Sequence, residues 1–358
     1  MKRLMQGAVV FIILVVLALL IICSKTNHME PYEGLGRSYS SQWYTWNGNQ
    51  LYFSDVVDGK EYKEYRGLYC MDMSRVKTDQ SITLLSPNYA GWVNLYQDDI
   101  YFINTDHKIS RILKNSGQEE VFSDMENSSV DRLLIIGDWM YWTEYEKDFI
   151  VKAYCLDGTK EQKVLKTDMD KGYEELFAYN GSVGFLVEEG KVFRTWNPEN
   201  GNVTEYKWQD SDAQEEDTLY GFIENKFPVY YSDGDIYISE DFERSGERKV
   251  CSLSEITGTY REQYQVLIHK DEILITVINH EQDIAVFENY IYSLKRNTLD
   301  RTADSYNPPQ EWTDTYITGG HQEIYGDAEL VDRKSGEHIF AGPRIEEGYE
   351  HILEPSGV

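Results

Sequence analysis

A short aromatic run recurs along this chain at nearly constant spacing. It reads Leu51-Tyr52-Phe53, Ile100-Tyr101-Phe102, Met140-Tyr141-Trp142, Val183-Gly184-Phe185, Val229-Tyr230-Tyr231 and, more weakly, Ile273-Leu274-Ile275. Centred on the middle residue, successive copies lie 49, 40, 43, 46 and 44 residues apart. A short polar turn precedes most of them, as in Gln97-Asp98-Asp99, Gly137-Asp138 and Asn180-Gly181. A second marker runs in its own phase: Gly117, Gly158, Gly201, Gly246 and Gly336 are spaced by 41, 43, 45 and 90, the last being twice 45. Lys295-Arg296-Asn297-Thr298 fills the skipped position without a glycine, and Lys77-Thr78-Asp79-Gln80 holds the corresponding place in the first repeat.

The best-formed unit shows what repeats. Leu133 to Glu144 is a strand, a Gly-Asp turn and an aromatic strand. Ile150 to Thr159 is a strand ending in an Asp-Gly turn, and Lys163-Val164-Leu165 begins a fourth strand. Asp-Gly between β-type runs is a strong hairpin signal. Four short strands per period of 40–50 residues define a β-propeller, whose blades cannot bury their faces alone and so stack into a ring. A β-sandwich carries no such period. The fold class expected is therefore all-β: a single propeller of four-stranded blades. Ser41 to Leu353 is 313 residues, which seven units of about 45 fill better than six. The seventh unit is the weakest. Asn307-Pro308-Pro309 interrupts its expected first strand, where Pro is poorly tolerated. Six blades result if Tyr316-Ile317-Thr318, Glu329 to Asp332 and His338 to Ala341 pack only as a closing hairpin.

Tyr141-Trp142-Thr143-Glu144, followed by Leu156-Asp157-Gly158-Thr159 and Val164-Leu165, resembles the YWTD repeat of low-density-lipoprotein-receptor-type propellers and of exported bacterial propellers built from similar units. The full tetrapeptide is matched in one repeat, with Glu144 in place of the family Asp. The resemblance implies a propeller that binds other proteins and is six-bladed in the receptor members. The motif positions are structural in that family, so it implies no functional residue.

The N-terminus points to a location. Lys2 and Arg3 precede an unbroken apolar run of 16 residues, Ala8 to Cys23, at the short edge of the roughly 17–25 residues that span a bilayer. No small-residue cleavage pattern follows Ala18. The reading is an uncleaved signal anchor over residues 1–25, carried by Ala8, Phe11, Leu14, Leu17, Leu20 and Ile22, then a linker over 26–40 and the propeller over 41–358. Lipid attachment at Cys23 and plain secretion are the alternatives. Positive residues stay inside, so the expected location is the cell membrane, single-pass, with the propeller outside the cytoplasm.

The chain carries 62 Asp+Glu against 34 Lys+Arg, a net charge of −28. Beyond residue 25 it is 31 basic against 62 acidic residues, a net −31. This argues against nucleic acid as partner, because phosphate needs a basic surface. The partner expected is an unknown protein or a cell-surface glycan.

Catalytic signatures are absent. No two histidines stand four apart, so there is no helical zinc pair. There is no nucleophile elbow and no phosphate loop. Cys70, Cys155 and Cys251 fall on late strands of repeats one, three and five. Alternate blades hold them beyond bridging range, so three free, largely buried thiols are expected. Asp210, Asp212, Glu215, Glu216 and Asp217 form one acidic run, and Asp233, Asp235, Glu240, Asp241 and Glu243 another. Such runs usually form solvated faces. Calcium is the one cofactor they admit, and no catalytic, cofactor-binding or metal-binding residue is assigned. Trp92, Trp208 and Trp312 lie near repeat edges, where they could stack on sugars or peptides; core packing is the better reading for Trp92. The sequons at Asn127 and Asn202 matter only in a glycosylating host.

The function expected is a membrane-tethered, non-catalytic binding or sensing module for a protein or cell-wall ligand. The alternatives are a carbohydrate-active hydrolase or lyase using paired carboxylates, and a structural assembly subunit.

Overall fold

A computed structural model describes residues 44–47, 49–58, 64–75, 82–122, 129–145, 149–159, 161–166, 175–188, 190–207, 217–257, 264–269, 271–279, 286–305, 309–312, 316–319 and 328–341. The residues expected to form the anchor, Ala8, Phe11, Leu14, Leu17, Leu20 and Ile22, and Cys23, lie outside them. Among the described residues no helix is long and apolar enough to cross a membrane.

The described strands form seven four-stranded antiparallel meanders. Blade 1 holds β1 (Tyr44–Asn47), β2 (Gln50–Asp58), β3 (Glu64–Asp72) and β4 (Ile82–Ser86). Blade 2 holds β5 (Tyr89–Tyr96), β6 (Asp99–Asn104), β7 (Ile109–Ile112) and β8 (Glu119–Val121). Blade 3 holds β9 (Val130–Ile136), β10 (Trp139–Tyr145), β11 (Phe149–Cys155) and β12 (Gln162–Lys166). Blade 4 holds β13 (Phe177–Tyr179), β14 (Ser182–Val187), β15 (Val192–Trp196) and β16 (Val203–Lys207). Blade 5 holds β17 (Thr218–Ile223), β18 (Phe227–Ser232), β19 (Asp235–Ile238) and β20 (Arg248–Ser252). Blade 6 holds β21 (Tyr264–His269), β22 (Glu272–Asn279), β23 (Val286–Ser293) and β24 (Thr298–Arg301). Blade 7 holds β25 (Pro309–Trp312), β26 (Tyr316–Gly319), β27 (Ala328–Asp332) and β28 (His338–Ala341).

The first strands are the inner ones. β5 lies against β1 and β9, β17 against β13 and β21, and β25 against β21 and β1, so the ring closes between blades 7 and 1. Among the described residues every blade is built from four consecutive strands, and no strand is exchanged at the closure. The meander puts the first and third turns of every blade on one side, the turn face. The inner strands begin on the other side, the entry face.

Seven hydrophobic clusters hold the ring, one between each pair of neighbouring blades. The closing cluster joins Leu51, Phe53, Tyr69 and Met71 of blade 1 to Leu330 of blade 7. Both faces of each sheet are thus buried, which is why the sequence needs so many aromatics. The densest ring packing lies between blades 4 and 5, where Phe242 stacks on Phe193 and Tyr206 at 4.9 and 4.8 Å. Such pairs add about 0.5–1.5 kcal/mol each beyond area burial.

The repeat markers have distinct physical causes. Gly117, Gly201 and Gly336 have φ of 66°, 71° and 70°, and each donates its N–H to the carbonyl four residues back. Asn297 makes the same bond to Ser293 with φ 51°. It fills the position where the glycine period skips, because Asn tolerates the left-handed region better than other side chains. The aromatic marker is out of phase in blade 5. The turn leading into β18 has three residues, Glu224 to Lys226, where those leading into β6, β10 and β14 have two, so the aromatic stands one place further along its strand. Tyr230 then packs toward blade 4 while Val229 packs toward blade 6, as a one-residue slip reverses faces. Pro309 heads β25, the first strand position that Pro tolerates, so the seventh unit is a full blade. The outermost strands carry charges along their free edges, such as Lys166 on β12, Glu205 on β16 and Arg248 on β20, which discourages edge pairing.

Cys70, Cys155 and Cys251 are free, the first half-buried and the others buried. Burial, followed by the charge of Asp72, pushes Cys70 up to about 11. Burial pushes Cys251 up to about 12 and raises Cys155 as well. At pH 8 a thiol with a pKa near 11 is roughly 0.1% thiolate, the reactive form. Native protein should therefore react with a disulfide reagent at no more than one thiol, Cys23, and unfolded protein at all four. Rapid native labelling of Cys70 or Cys251 would contradict the assignment. The linkage has a sign: pKa values raised by folding stabilise the native state below about pH 9, and that stability is lost as pH rises through 11–12. The melting temperature should accordingly be flat from neutral pH to about 9 and fall above it.

Candidate recognition surface at the channel mouth

Four inner strands are bulged, all at their entry-face ends. The pairing slips in β5 between Tyr89 and Asn94, in β9 at Asp131, in β17 at Tyr220 and in β25 at Gln310. Bulges leave a residue unpaired and re-aim its side chain, and they concentrate beside functional sites. Here they ring the axis of the propeller at one mouth.

The β5 bulge carries backbone strain. Trp92 has φ 62°, and it is the one non-glycine residue inside a described strand with a positive φ. The left-handed region costs a bulky residue about 1–2 kcal/mol. Asn94, fully buried, holds the bulge in place. Its Nδ2 donates to the carbonyls of Trp92 at 2.9 Å and Leu133 at 3.2 Å. Its Oδ1 accepts from the Ile135 N–H at 3.2 Å. One side chain thereby ties blade 2 to the inner strand of blade 3.

The Trp92 ring packs against the cluster between blades 2 and 3 and is half-buried. The Arg132 guanidinium, from β9, lies over it at 5.0 Å from the ring centroid, an attraction of about 0.5–2 kcal/mol depending on exposure. Arg132 Nη1 is 3.0 Å from Asp131 Oδ2 and donates to the Asp131 carbonyl at 3.1 Å. Arg132 Nε and Asp131 Oδ2 are buried without a hydrogen-bond partner. Exposed His107 lies just outside, its carbonyl accepting from the Val130 N–H at 2.9 Å. At the corresponding ends of blades 5 and 6, the Tyr220 and Tyr264 hydroxyls are 2.7 Å apart.

Several carboxylates at this end are committed to cations. Asp217 pairs with Arg244, whose guanidinium covers the Tyr230 ring at 4.9 Å. Glu144, fully buried, accepts from Lys152 Nζ and Trp142 Nε1, each at 2.7 Å. Of the second acidic run, Asp235 pairs with Lys249 at 2.7 Å and Asp241 caps its turn through the Ser245 N–H at 3.0 Å. Among the described residues no group of three or more His, Cys, Asp or Glu could hold a metal. Residues 210–216, Trp208 and Asn127 lie outside the described residues. Trp312 falls on β25, and Asn202 is exposed in a turn of blade 4.

Sequence reasoning named Trp92, chiefly as a core residue, and missed Arg132, Asp131 and Tyr220. A signal for Tyr220 was present, as it was for the bulge at Trp92. Gly91 and Gly221 each stand inside a strand pattern, and such a glycine marks a bulge.

The fold and this mouth define a seven-bladed β-propeller. No protein-family model matches the chain, and no curated protein does. Solved structures do. The propeller domain of the Trilobed protease from Pyrococcus furiosus, described as having an open velcro topology, has a TM-score of 0.54 at 8% identity, covering 84% of this chain and 96% of that one. An oligogalacturonate lyase in complex with manganese has a TM-score of 0.52 at 13% identity, covering 87% and 88%. A Mycobacterium tuberculosis puromycin-hydrolyzing peptidase has 0.51 at 10%, covering 86% of this chain and 55% of that one. Identities this low establish the fold alone.

Proposed function

We propose that this chain is a membrane-tethered, extracytoplasmic recognition propeller that holds its ligand at the entry-face mouth. The observation that carries it is Trp92, held in a strained backbone conformation by Asn94 and capped by Arg132. Strain of this kind persists where the surrounding structure over-determines it, and it clusters at ligand sites. Rigid blades presenting variable loops suit such a role. The ion-paired state of Asp131, Asp217 and Glu144 favours recognition over hydrolase or lyase chemistry, which needs a free acid–base pair. The tether through Ala8–Cys23 rests on the apolar run, and kinship with YWTD-type propellers rests on Tyr141 to Glu144.

A photo-crosslinking residue tests the reading. It is placed in the full-length chain at His107 on the entry face or at Glu224 on the turn face, both exposed. Irradiated cells should give a discrete adduct from position 107 and none from 224, in membranes that keep the chain through an alkaline carbonate wash. Adducts from 224 alone, or no adduct from 107, would overturn it.

A further inference from the structure

We infer that the tether holds the entry face toward the membrane, and that the partner met there is the extracytoplasmic part of a second integral membrane protein. The inference rests on the recognition reading above, its tether included, and names the partner class. β1, the first inner strand, begins at Tyr44 on the entry face. The apolar run ends at Cys23, and 18 residues lie between residue 25 and Tyr44. A flexible chain of that length averages about 21–25 Å end to end. With the turn face toward the bilayer, the tether would first pass outward across a blade, about 14 Å over four strands, and then along a strand height of about 20 Å. That detour of roughly 35 Å exceeds the average reach. With the entry face toward the bilayer no detour is needed.

This placement narrows the occupant. The entry face then looks into a layer about 21–25 Å deep, the reach of the tether. A wall polymer farther out meets the turn face instead. The bilayer itself is a poor occupant. Asp106, Glu188 and Glu255 are exposed on the entry face, and the chain beyond residue 25 carries a net −31, which repels anionic headgroups. A protein rooted in the same membrane is confined to that layer and needs no contact between ring and lipid. The connections that join blades on this face are the long ones. Eight residues separate β8 from β9, ten separate β12 from β13 and ten separate β16 from β17, against two in the first turns of blades 2, 3 and 4 on the turn face. Longer loops on one face of a rigid scaffold are where recognition concentrates.

Two measurements on the full-length chain test this. In vesicles of phosphatidylethanolamine and phosphatidylglycerol, a fluorescent residue replaces exposed His107 on the entry face or exposed Glu224 on the turn face. Energy transfer to an acceptor on the headgroups should be about twofold or more stronger from 107, because 224 stands a strand height of about 20 Å farther off. Adding about 40 flexible residues to the linker should bring the two signals together, since the reach then exceeds the detour. Equal transfer from both positions with the native linker, stronger transfer from 224, or a difference that the longer linker leaves intact overturns the inference. In cells, the photo-crosslinking residue at 107 is combined with a protease site in the linker. After cleavage and an alkaline carbonate wash, propeller without an adduct should be released, and the adduct should stay in the membrane, held by the partner's own span. An adduct released with the propeller overturns this inference and spares the recognition reading; no adduct at 107 removes both.

Discussion

Replacing Glu144 with alanine should lower the unfolding free energy by about 3–5 kcal/mol, the usual effect of breaking a buried ion pair. Glu144 is fully buried at the end of β10, bonded to Lys152 Nζ and Trp142 Nε1 at 2.7 Å each. Lys152 is itself only 15% exposed. Alanine removes the shared acceptor of a largely buried ammonium and an indole N–H, and the penalty is their lost solvation more than the lost attraction. The double change Glu144→Leu with Lys152→Met should recover most of the loss, since well-packed apolar groups often match a buried pair. Denaturant titration of the three variants measures this. A loss below about 1 kcal/mol in the single variant would show that water reaches the pair.

Gly184→Ala should cost about 1–3 kcal/mol or more, the range for overpacking a filled core. A Cβ at Gly184 would lie 2.9 Å from both Cε atoms of Phe193 and closer still to Cζ. Phe193 cannot yield: it is fully buried and packs against Phe177, Tyr179, Phe222 and Phe242. The marker position holds tyrosine in blades 1 to 3 and glycine here because Phe193, from β15, fills the volume from the neighbouring strand. Adding Phe193→Leu to Gly184→Ala should restore part of the stability. A melting temperature unchanged by Gly184→Ala would sink this account of the missing aromatic.

These two residues also show how far the sequence could be read. Seven units, four strands each and the turn glycines were legible, because turn chemistry and strand alternation act within a few residues of chain. Asn297 was legible as a turn for the same reason. The blade 5 phase error was not, since a turn one residue longer, Glu224 to Lys226, moves the marker one place along β18 while the local pattern still reads as a strand. Gly184 read only as a weaker copy of the marker, and its reason lies on another strand. The mouth was the least legible part. Trp92 and Arg132 are 40 residues apart and belong to different blades, and each alone reads as an ordinary strand residue.

The amino-acid order by itself determined the architecture: an apolar N-terminal run, then seven local four-stranded units that must stack because none can bury both faces alone. Tertiary structure decided which side chains meet across strands and across neighbouring blades. It set Glu144 against Lys152 in the dark of the core, Phe193 in the space of a missing tyrosine, and a strained tryptophan beneath an arginine at one mouth of the ring. Those meetings depend on strand register and on how adjacent blades are seated, and a one-residue slip in either reverses the face that every side chain presents.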